Sequence, residues 1–179
     1  MTKRLGVLHA LRALGVPVYN EGQAIERSVD KSMTTLLLAR AALPTPLTWT
    51  VQTAEQARAL VQAGERLVLK PLFGAQGRGL RLVGPGGELP PPEEYGGVYH
   101  LQRFVEPADG VWRDYRVLVV GGCAVAAMAR RGMGWITNIG QGGMAEPVAT
   151  EGPLAELAVA ATAALAPSGA SGRARSVHR

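Results

Sequence analysis

A lysine followed by a glycine-rich stretch is the part of the sequence best suited to bind an anion. Lys70 ends an apolar run, and glycines follow at positions 74, 77 and 79. Glycines let a backbone bend sharply and bring its N–H groups close to an anion, and a neighbouring ammonium group adds positive charge. The spacing matches neither a Walker loop nor the G-x-G-x-x-G pattern. From spacing alone, a phosphate-binding loop and an ordinary glycine-rich hairpin are equally good interpretations.

Two arginines and an aspartate later in the chain could act on oxygen-rich groups. Asp114 and Arg116 open one alternating run, and Arg130 closes the next. The planar fork of a guanidinium group binds two oxygens of a phosphoryl group or carboxylate at once. Without further motifs, a surface ion pair is the default interpretation of each arginine. Asp114 alone would likewise be an ordinary carboxylate at the start of a strand.

The other reactive side chains have simpler interpretations. His9, His100 and His178 lack the spacing of metal ligands, and no motif supports a catalytic triad with Cys123. Cys123 follows two glycines on an apolar stretch and is expected to be a small core residue. Trp135 is interpreted as a packing residue.

Hydrophobic periodicity and turn residues predict the elements that must position these groups. Helices are expected over residues 5–14, from the cap Asp30 to about residue 43, over residues 54–63 after a Thr53–Gln56 capping box, and over residues 154–165. Gly121 and Gly122 predict a hairpin turn. Strands are expected over residues 16–19, 48–51, 67–72, 80–83, 98–105, 114–120 and 123–129.

Length and composition exclude several classes of protein. A chain of 179 residues with 47% hydrophobic residues can bury one core, and at most part of a second domain. No stretch is long and apolar enough to predict a membrane span. The single cysteine excludes an internal disulfide framework and fits a reducing, cytoplasmic compartment.

The positive net charge is concentrated at the carboxyl end. The chain carries +5, but Arg173, Arg175 and Arg179 account for three of these charges, which leaves +2 for the rest. A basic fragment that contacts RNA is therefore a weak third hypothesis, and no nucleic acid is expected as the main partner. Residues 166–179 lack apolar periodicity and are predicted to be a disordered tail.

Several motifs in order along the chain give a more specific interpretation. Together they resemble the ATP-grasp superfamily, and within it the RimK-like α-L-glutamate ligases. The resemblance implies an α+β fold of two lobes with a nucleotide between them. It divides the chain into a remnant of an amino-terminal substrate domain (1–29), a small lobe (30–105) and an incomplete large lobe (106–165). The matching pieces are Asp30-Lys-Ser-Met-Thr34, Pro44-Thr-Pro46, Leu69-Lys-Pro-Leu72, Gly74-Ala-Gln-Gly-Arg-Gly79, Gln102-Arg-Phe-Val105, Asp114-Tyr-Arg116 and Asn138-Ile-Gly-Gln-Gly-Gly143.

The resemblance also implies a division of roles. Phosphate binding falls to Lys31, Lys70 and the loop that contains Gly74, Gln76, Gly77 and Gly79. The hinge, whose backbone N–H and C=O would pair with the adenine edge, comprises Gln102, Arg103, Phe104 and Val105. Asp114 would contact the ribose. The reacting phosphoryl and carboxylate groups would face Arg116, Arg130 and Asn138.

The implied function is an ATP-dependent carboxylate–amine ligase that adds glutamate, or a similar small amino acid, through an acyl phosphate. The family holds Mg²⁺ with late carboxylates that should follow residues 154–165, and the sequence shows none there, so no metal ligand is predicted. The alternative is a non-catalytic nucleotide-binding fragment, and no turnover is expected from this chain alone. The acceptor stays open between a protein terminus, a pterin-type cofactor and a carrier. A homo-oligomer is compatible with either interpretation.

Overall fold

The computed structural model describes residues 2–166 and 175–178. In this part of the chain five α-helices accompany two four-stranded antiparallel sheets, which confirms the predicted α+β class. The helices are α1 (Thr2–Ala13), α2 (Gly22–Val29), α3 (Lys31–Arg40), α4 (Ala54–Gln62) and α5 (Pro153–Leu165). The strands are β1 (Thr48–Val51), β2 (Leu67–Lys70), β3 (Arg81–Val83), β4 (Tyr99–Arg103), β5 (Arg113–Val120), β6 (Cys123–Arg131), β7 (Met144–Pro147) and β8 (Arg175–His178).

The first sheet has the strand order β1-β4-β2-β3 and buries one apolar face. Alternate side chains of a strand point to opposite faces, so every second residue belongs to the core. The core of this half is apolar and is completed by α4, which begins at the predicted Thr53–Gln56 capping box. Its buried members are Ala57, Val61, Leu67, Leu69, Val83, Tyr95, Tyr99 and Leu101.

The opposite face of the first sheet is unusually polar. The register pairs Thr48 with Gln102, Thr50 with His100, and Lys70 with His100, so these five side chains share one face. The alternation in the sequences Thr-Trp-Thr-Val, Leu-Val-Leu-Lys and Tyr-His-Leu-Gln-Arg produces this segregation. We call these five residues the polar face.

Helix α3 begins beside the polar face. As predicted, Asp30 caps it: Oδ1 accepts hydrogen bonds from the backbone N–H groups of Ser32 and Met33 at 2.9 and 3.1 Å. Asp30 is also the last flanking residue of α2, and its own N–H bonds to the carbonyl of Glu26. One residue therefore ends α2, begins α3 and fixes the position of Lys31.

The second sheet has the strand order β7-β6-β5-β8. Gly121 and Gly122 form the predicted turn between β5 and β6, with φ of 59° and 82°, the left-handed values that a two-residue hairpin needs. Helix α5 covers one face of the sheet and packs its Ala158 against Val117 and Val119. The other face carries Asp114 and Arg116 of β5 and Arg130 of β6.

Several local predictions are wrong. Residues 16–19 do not form a strand, and the sequence analysis did not anticipate α2 or β7. Cys123 is exposed rather than part of the core, because it directly follows the hairpin turn at the end of the sheet.

The carboxyl-terminal segment differs in part from its prediction. Residues 167–174 and 179 of the predicted disordered tail lie outside the described residues. Residues 175–178 form β8, which pairs with the free edge of β5 and places Arg116 opposite His178 in register. An exposed strand edge offers unpaired N–H and C=O groups to any extended segment that reaches it, whatever the segment's side chains. Among the described residues, no helix combines the length and apolar character that a membrane span requires.

Candidate functional site

The ammonium group of Lys70 lies on the polar face and has no carboxylate partner in the described residues. Its Nζ donates a hydrogen bond to Oε1 of Gln102, whose own Nε2 donates to Thr48 Oγ1 at 3.0 Å. Next to it His100 is almost fully buried, and its Nδ1 lies 2.9 Å from Thr50 Oγ1. The neighbours of Lys70 on the polar face are therefore neutral groups.

This environment changes the pKa values of both basic side chains. Burial, together with the positive charge of Lys31, lowers the pKa of Lys70 to about 8. Burial and the two lysine charges lower the pKa of His100 to about 4, so this imidazole is neutral at physiological pH. The protonated form of Lys70 is therefore destabilised on the polar face, and a bound anion would stabilise it.

Lys31, the second predicted phosphate ligand, contacts the start of the glycine loop. Its Nζ donates to the carbonyl oxygens of Pro71 (2.8 Å), Leu72 (3.2 Å) and Gly74 (3.1 Å). Burial lowers the pKa of this ammonium group, and the neighbouring Asp30 partly offsets the effect. The structure thus brings Lys31, Lys70 and the loop together, as predicted.

The glycine loop, residues 73–80, turns back on itself and reaches the second half of the chain. Gln76, Gly77 and Gly79 have φ of 61°, 70° and 71°, in the left-handed region that favours glycine. A Cβ atom on Gly77 would lie 2.6 Å from Oδ1 of Asn138, and one on Gly79 would lie 2.8 Å from Pro71 Cγ. Glycine is required at both positions, and the predicted residue Asn138 lies directly against the loop.

Two residues to which the sequence analysis gave no role also hold the loop. Gln141 donates from Nε2 to the carbonyl of Gln76 at 3.1 Å, and the hydroxyl of Tyr95 donates to the carbonyl of Gly79 at 2.8 Å. Gln141 stands in the quoted glycine-rich motif, so its position was visible in the sequence. No local signal marked Tyr95.

The predicted hinge already uses two of its backbone donors. The N–H of Arg103 bonds to the carbonyl of Leu47 at 2.8 Å, and that of Phe104 bonds to the carbonyl of Arg66 at 2.9 Å. The Arg103 side chain points to solvent and pairs with Glu65. The exposed Val105 follows directly.

Phe104 fastens the hinge to the second half of the molecule. Its ring lies 5.6 Å from that of Trp112 and 5.8 Å, edge to face, from that of Trp135, and the guanidinium of Arg66 lies 5.1 Å above it. Trp135 is therefore a packing residue, as expected. The contacts join β2 and β4 to the segments before β5 and after β6.

The charged face of the second sheet is organised by Asp114. Its two carboxylate oxygens accept a bidentate pair from Arg130 Nε (2.7 Å) and Nη2, and Oδ2 also accepts from Thr137 Oγ1 at 2.8 Å. Arg116 Nε lies 3.5 Å from Oδ1, an ion-pair distance. Burial would raise the pKa of this carboxyl, but the hydrogen bonds from Arg130 and Thr137 and the arginine charges hold it below its usual value.

The buried Nε–H group of Arg116 has no hydrogen-bond acceptor in the described residues. Its Nε is shielded from solvent and makes no hydrogen bond among the described residues, and burial lowers the pKa of the guanidinium despite the nearby Asp114. Arg130 is also buried. The structure therefore groups both predicted arginines around Asp114, and the ribose contact of Asp114 stays a prediction.

A tight turn connects this charged cluster to the loop. Thr137, which bonds to Asp114, precedes Asn138, which contacts Gly77. A Cβ atom on Gly143 would lie 2.1 Å from the carbonyl oxygen of Thr137, so only glycine fits there. The turn therefore links the charged cluster of the second sheet directly to the glycine loop.

Two lobes that face each other across a glycine loop define an ATP-grasp architecture, and comparison with known proteins gives the family. Residues 28–168 match the RimK-like ATP-grasp domain, and the chain belongs to this family. It is 34% identical over 160 residues to the tetrahydromethanopterin:alpha-L-glutamate ligase of Methanosarcina acetivorans, a match that covers 80% of this chain and 48% of the relative. The chain spans about half the length of the curated relatives it matches.

Solved structures share the fold. The ATP-grasp ligase PsnB, complexed with a minimal precursor, Mg and ADP, superimposes with a TM-score of 0.64 at 16% identity and covers 99% of this chain and 54% of its own. The D-alanine--D-alanine ligase from Bacillus anthracis, complexed with ATP, gives a TM-score of 0.62 at 15% identity, covering 89% and 54%. The predicted ATP-grasp fold is confirmed.

The described residues do not fit a Mg²⁺ site. Asp114 spends both carboxylate oxygens on Arg130 and Thr137, and Glu146 pairs with Arg131 at 2.9 Å. No three carboxylate, histidine or cysteine side chains gather in the described part of the chain. Mg²⁺ prefers several oxygen ligands with room for water, whereas both of these carboxylates already share their oxygens with arginine donors.

Two neighbouring ion pairs give a direct test of Asp114. Replacing Asp114 with alanine leaves the buried Arg130 without its carboxylate, and we expect the free energy of unfolding to fall by about 3 kcal/mol. Replacing Glu146 with alanine breaks the half-exposed pair with Arg131 and should cost less than about 1 kcal/mol. Urea denaturation of both variants checks the difference. Equal losses would show that Asp114 does not anchor the second sheet.

Proposed function

We propose that this domain binds ATP with its triphosphate between the polar face and the glycine loop. The observation that carries the proposal is the position of Lys70: a largely desolvated ammonium group near Lys31, without a carboxylate partner in the described residues. The ammonium group of Lys31 lies nearby, at the start of the glycine loop. A polyphosphate would supply a negatively charged partner, which neither ammonium group has within ion-pair distance in the described residues. The N–H of Val105 makes no backbone hydrogen bond in the described residues, so it is the hinge donor that would pair with the adenine edge.

The reaction that this arrangement would serve is carboxylate–amine ligation. A substrate carboxylate oxygen would attack the γ-phosphorus, ADP would leave, and an amine would then displace phosphate from the acyl phosphate with loss of one proton. Arg116 and Arg130 would offset the charge on the phosphoryl and carboxylate oxygens. The similarity to an alpha-L-glutamate ligase supports glutamate as the amino acid.

A non-catalytic nucleotide-binding fragment is the second candidate, and one observation favours it. Asp114 is held by Arg130, and Glu146 forms a half-exposed ion pair with Arg131, so each carboxylate would have to leave an arginine to hold a metal ion between phosphates. Divalent cations supply much of the electrostatic stabilisation in phosphoryl transfer. ATP binding is common to both candidates, whereas turnover separates them.

Substitution of Lys70 by methionine tests nucleotide binding. ATP at tenfold excess over Kd should stabilise the unmodified chain by about 1.4 kcal/mol, and the variant should lose most of this response. Without nucleotide, the variant should melt about 2–4 °C higher, because a buried charge is replaced by an apolar group. A thermal-shift titration measures both effects.

Arg58, an exposed cation on α4, provides the matched control. Its replacement by methionine removes one positive charge but should leave the ATP response intact. A folded, unmodified chain that shows no shift at millimolar ATP would refute the proposal.

The lowered pKa of Lys70 predicts opposite pH dependences for binding and stability. Lys70 loses its proton above pH 8, so ATP affinity should fall roughly eightfold between pH 7.5 and 9. Over the range from 8 to 10.5 the unfolded chain still binds this proton, so the free energy of unfolding without ATP should rise. Isothermal titration at several pH values, with Lys70→Arg as the permanently charged comparison, checks the affinity. A flat profile in the unmodified chain would contradict it.

Acceptor-dependent formation of ADP separates the two candidates. With ATP, Mg²⁺, glutamate and a carboxylate acceptor, we expect the chain alone to bind ATP without turnover, because Asp114 and Glu146 are held by arginines. Clear turnover would favour the ligase over the binding fragment, and Glu146→Gln would then show whether that carboxylate leaves Arg131 to hold the metal.

A further inference from the structure

The glycine loop is held in place through its carbonyl groups. At its entrance, the single ammonium group of Lys31 donates to three carbonyl oxygens, which include that of Gly74. At its tip the carbonyl of Gln76 accepts from Gln141, and at its exit the carbonyl of Gly79 accepts from Tyr95. Three side chains from three separate parts of the chain therefore grip the loop on the same kind of atom.

The N–H groups of the loop, unlike its carbonyl groups, have few hydrogen-bond partners among the described residues. In the described part of the chain, Arg78 is the one residue of 73–79 whose N–H makes a backbone hydrogen bond, to Ala75 at 3.3 Å. A phosphate needs N–H donors and is repelled by carbonyl oxygens. Side chains that bind the carbonyls keep them turned away from an anion and leave the N–H groups available.

We propose that Lys31, Tyr95 and Gln141 are positioning residues, a set of tethers that holds the loop ready for phosphate before any nucleotide binds. The phosphate part rests on the proposed function, whereas the tethering does not. As a tether, Lys31 has a role in the free protein, in addition to the phosphate contact predicted from the sequence.

Each tether is itself fixed by its surroundings. Tyr95 is buried, and the guanidinium of Arg81 lies 6.0 Å from its ring. Gln141 belongs to the same tight turn as Asn138, which contacts Gly77. Lys31 follows directly after the helix cap Asp30. The loop is thus tied to the first sheet, to the second lobe and to the α2–α3 junction.

Hydrogen exchange of the loop in the absence of nucleotide tests the tethers. Gln141→Ala should speed exchange of peptides that span residues 73–80 about threefold, the effect of one exposed neutral hydrogen bond, and Lys31→Met should speed it about tenfold, since its donor is charged. Gln52→Ala and Arg58→Met, which alter exposed side chains elsewhere, should leave loop exchange unchanged. Peptides from β4 report whether each variant is folded.

ATP titration of the same variants separates tethering from simple charge loss. Gln141→Ala is electrically neutral, so a weaker affinity for ATP with unchanged affinity for adenosine would support positioning of the loop for phosphates. The role of Lys31 is decided without nucleotide: a lysine that acts only as a phosphate ligand would not change loop exchange in the free protein.

The outcomes are distinct. Unchanged loop exchange in both Lys31→Met and Gln141→Ala overturns the tethering proposal, whatever ATP does. Faster exchange in both, in a chain whose loop exchange ATP does not slow, upholds the tethers and refutes the proposed function. Faster exchange in both, together with slowing by ATP in the unmodified chain, supports the two proposals together.

Discussion

The positive charge of Lys70 is the constraint on which the first half of the molecule depends. It lies on the polar face, hydrogen-bonded to a neutral amide, and in the described part of the chain neither it nor Lys31 has a carboxylate within ion-pair distance. Burial lowers the pKa of both ammonium groups; the charge of Lys31 lowers that of Lys70 further, whereas Asp30 partly offsets the effect at Lys31. Lys31 finds backbone carbonyls instead, and in doing so it fixes the start of the glycine loop.

In the second lobe, by contrast, the buried cations lie next to a carboxylate. Asp114 forms a bidentate pair with the buried Arg130 and attracts Arg116, so one carboxylate offsets part of the positive charge of two arginines. One lobe is therefore prepared to receive an anion, and the other holds its arginines in a fixed geometry. The turn through Thr137 and Asn138 links these two environments, since it bonds to Asp114 on one side and touches the loop on the other. This difference between the lobes fits a cleft that receives a polyphosphate from one side and positions reacting groups from the other.

Features that depend on neighbours in sequence were predicted well. The capping box at Thr53, the cap at Asp30 and the glycine pair of the β5–β6 turn each need only a few adjacent residues, and all are present. Strands β7 and β8 exist because β6 and β5 offer edges, which no local pattern reveals. The motifs brought Lys31, Lys70 and Asn138 to one site, but a tyrosine hydroxyl that reaches across to a loop carbonyl, as Tyr95 does, leaves no trace in periodicity.

The tethers of the glycine loop also bear on the order in which the chain folds. Lys31, Tyr95 and Gln141 lie 43, 16 and 65 residues from the loop carbonyls that they contact at Gly74, Gly79 and Gln76. Contacts between distant residues form late, because the entropy of closing the intervening chain must be lost before they contribute. The hairpins and capped helices can form first, and the loop acquires its shape only after both lobes have met. A partly folded chain therefore has no ordered glycine loop, and the nucleotide binding proposed for it would be delayed until the two halves are assembled.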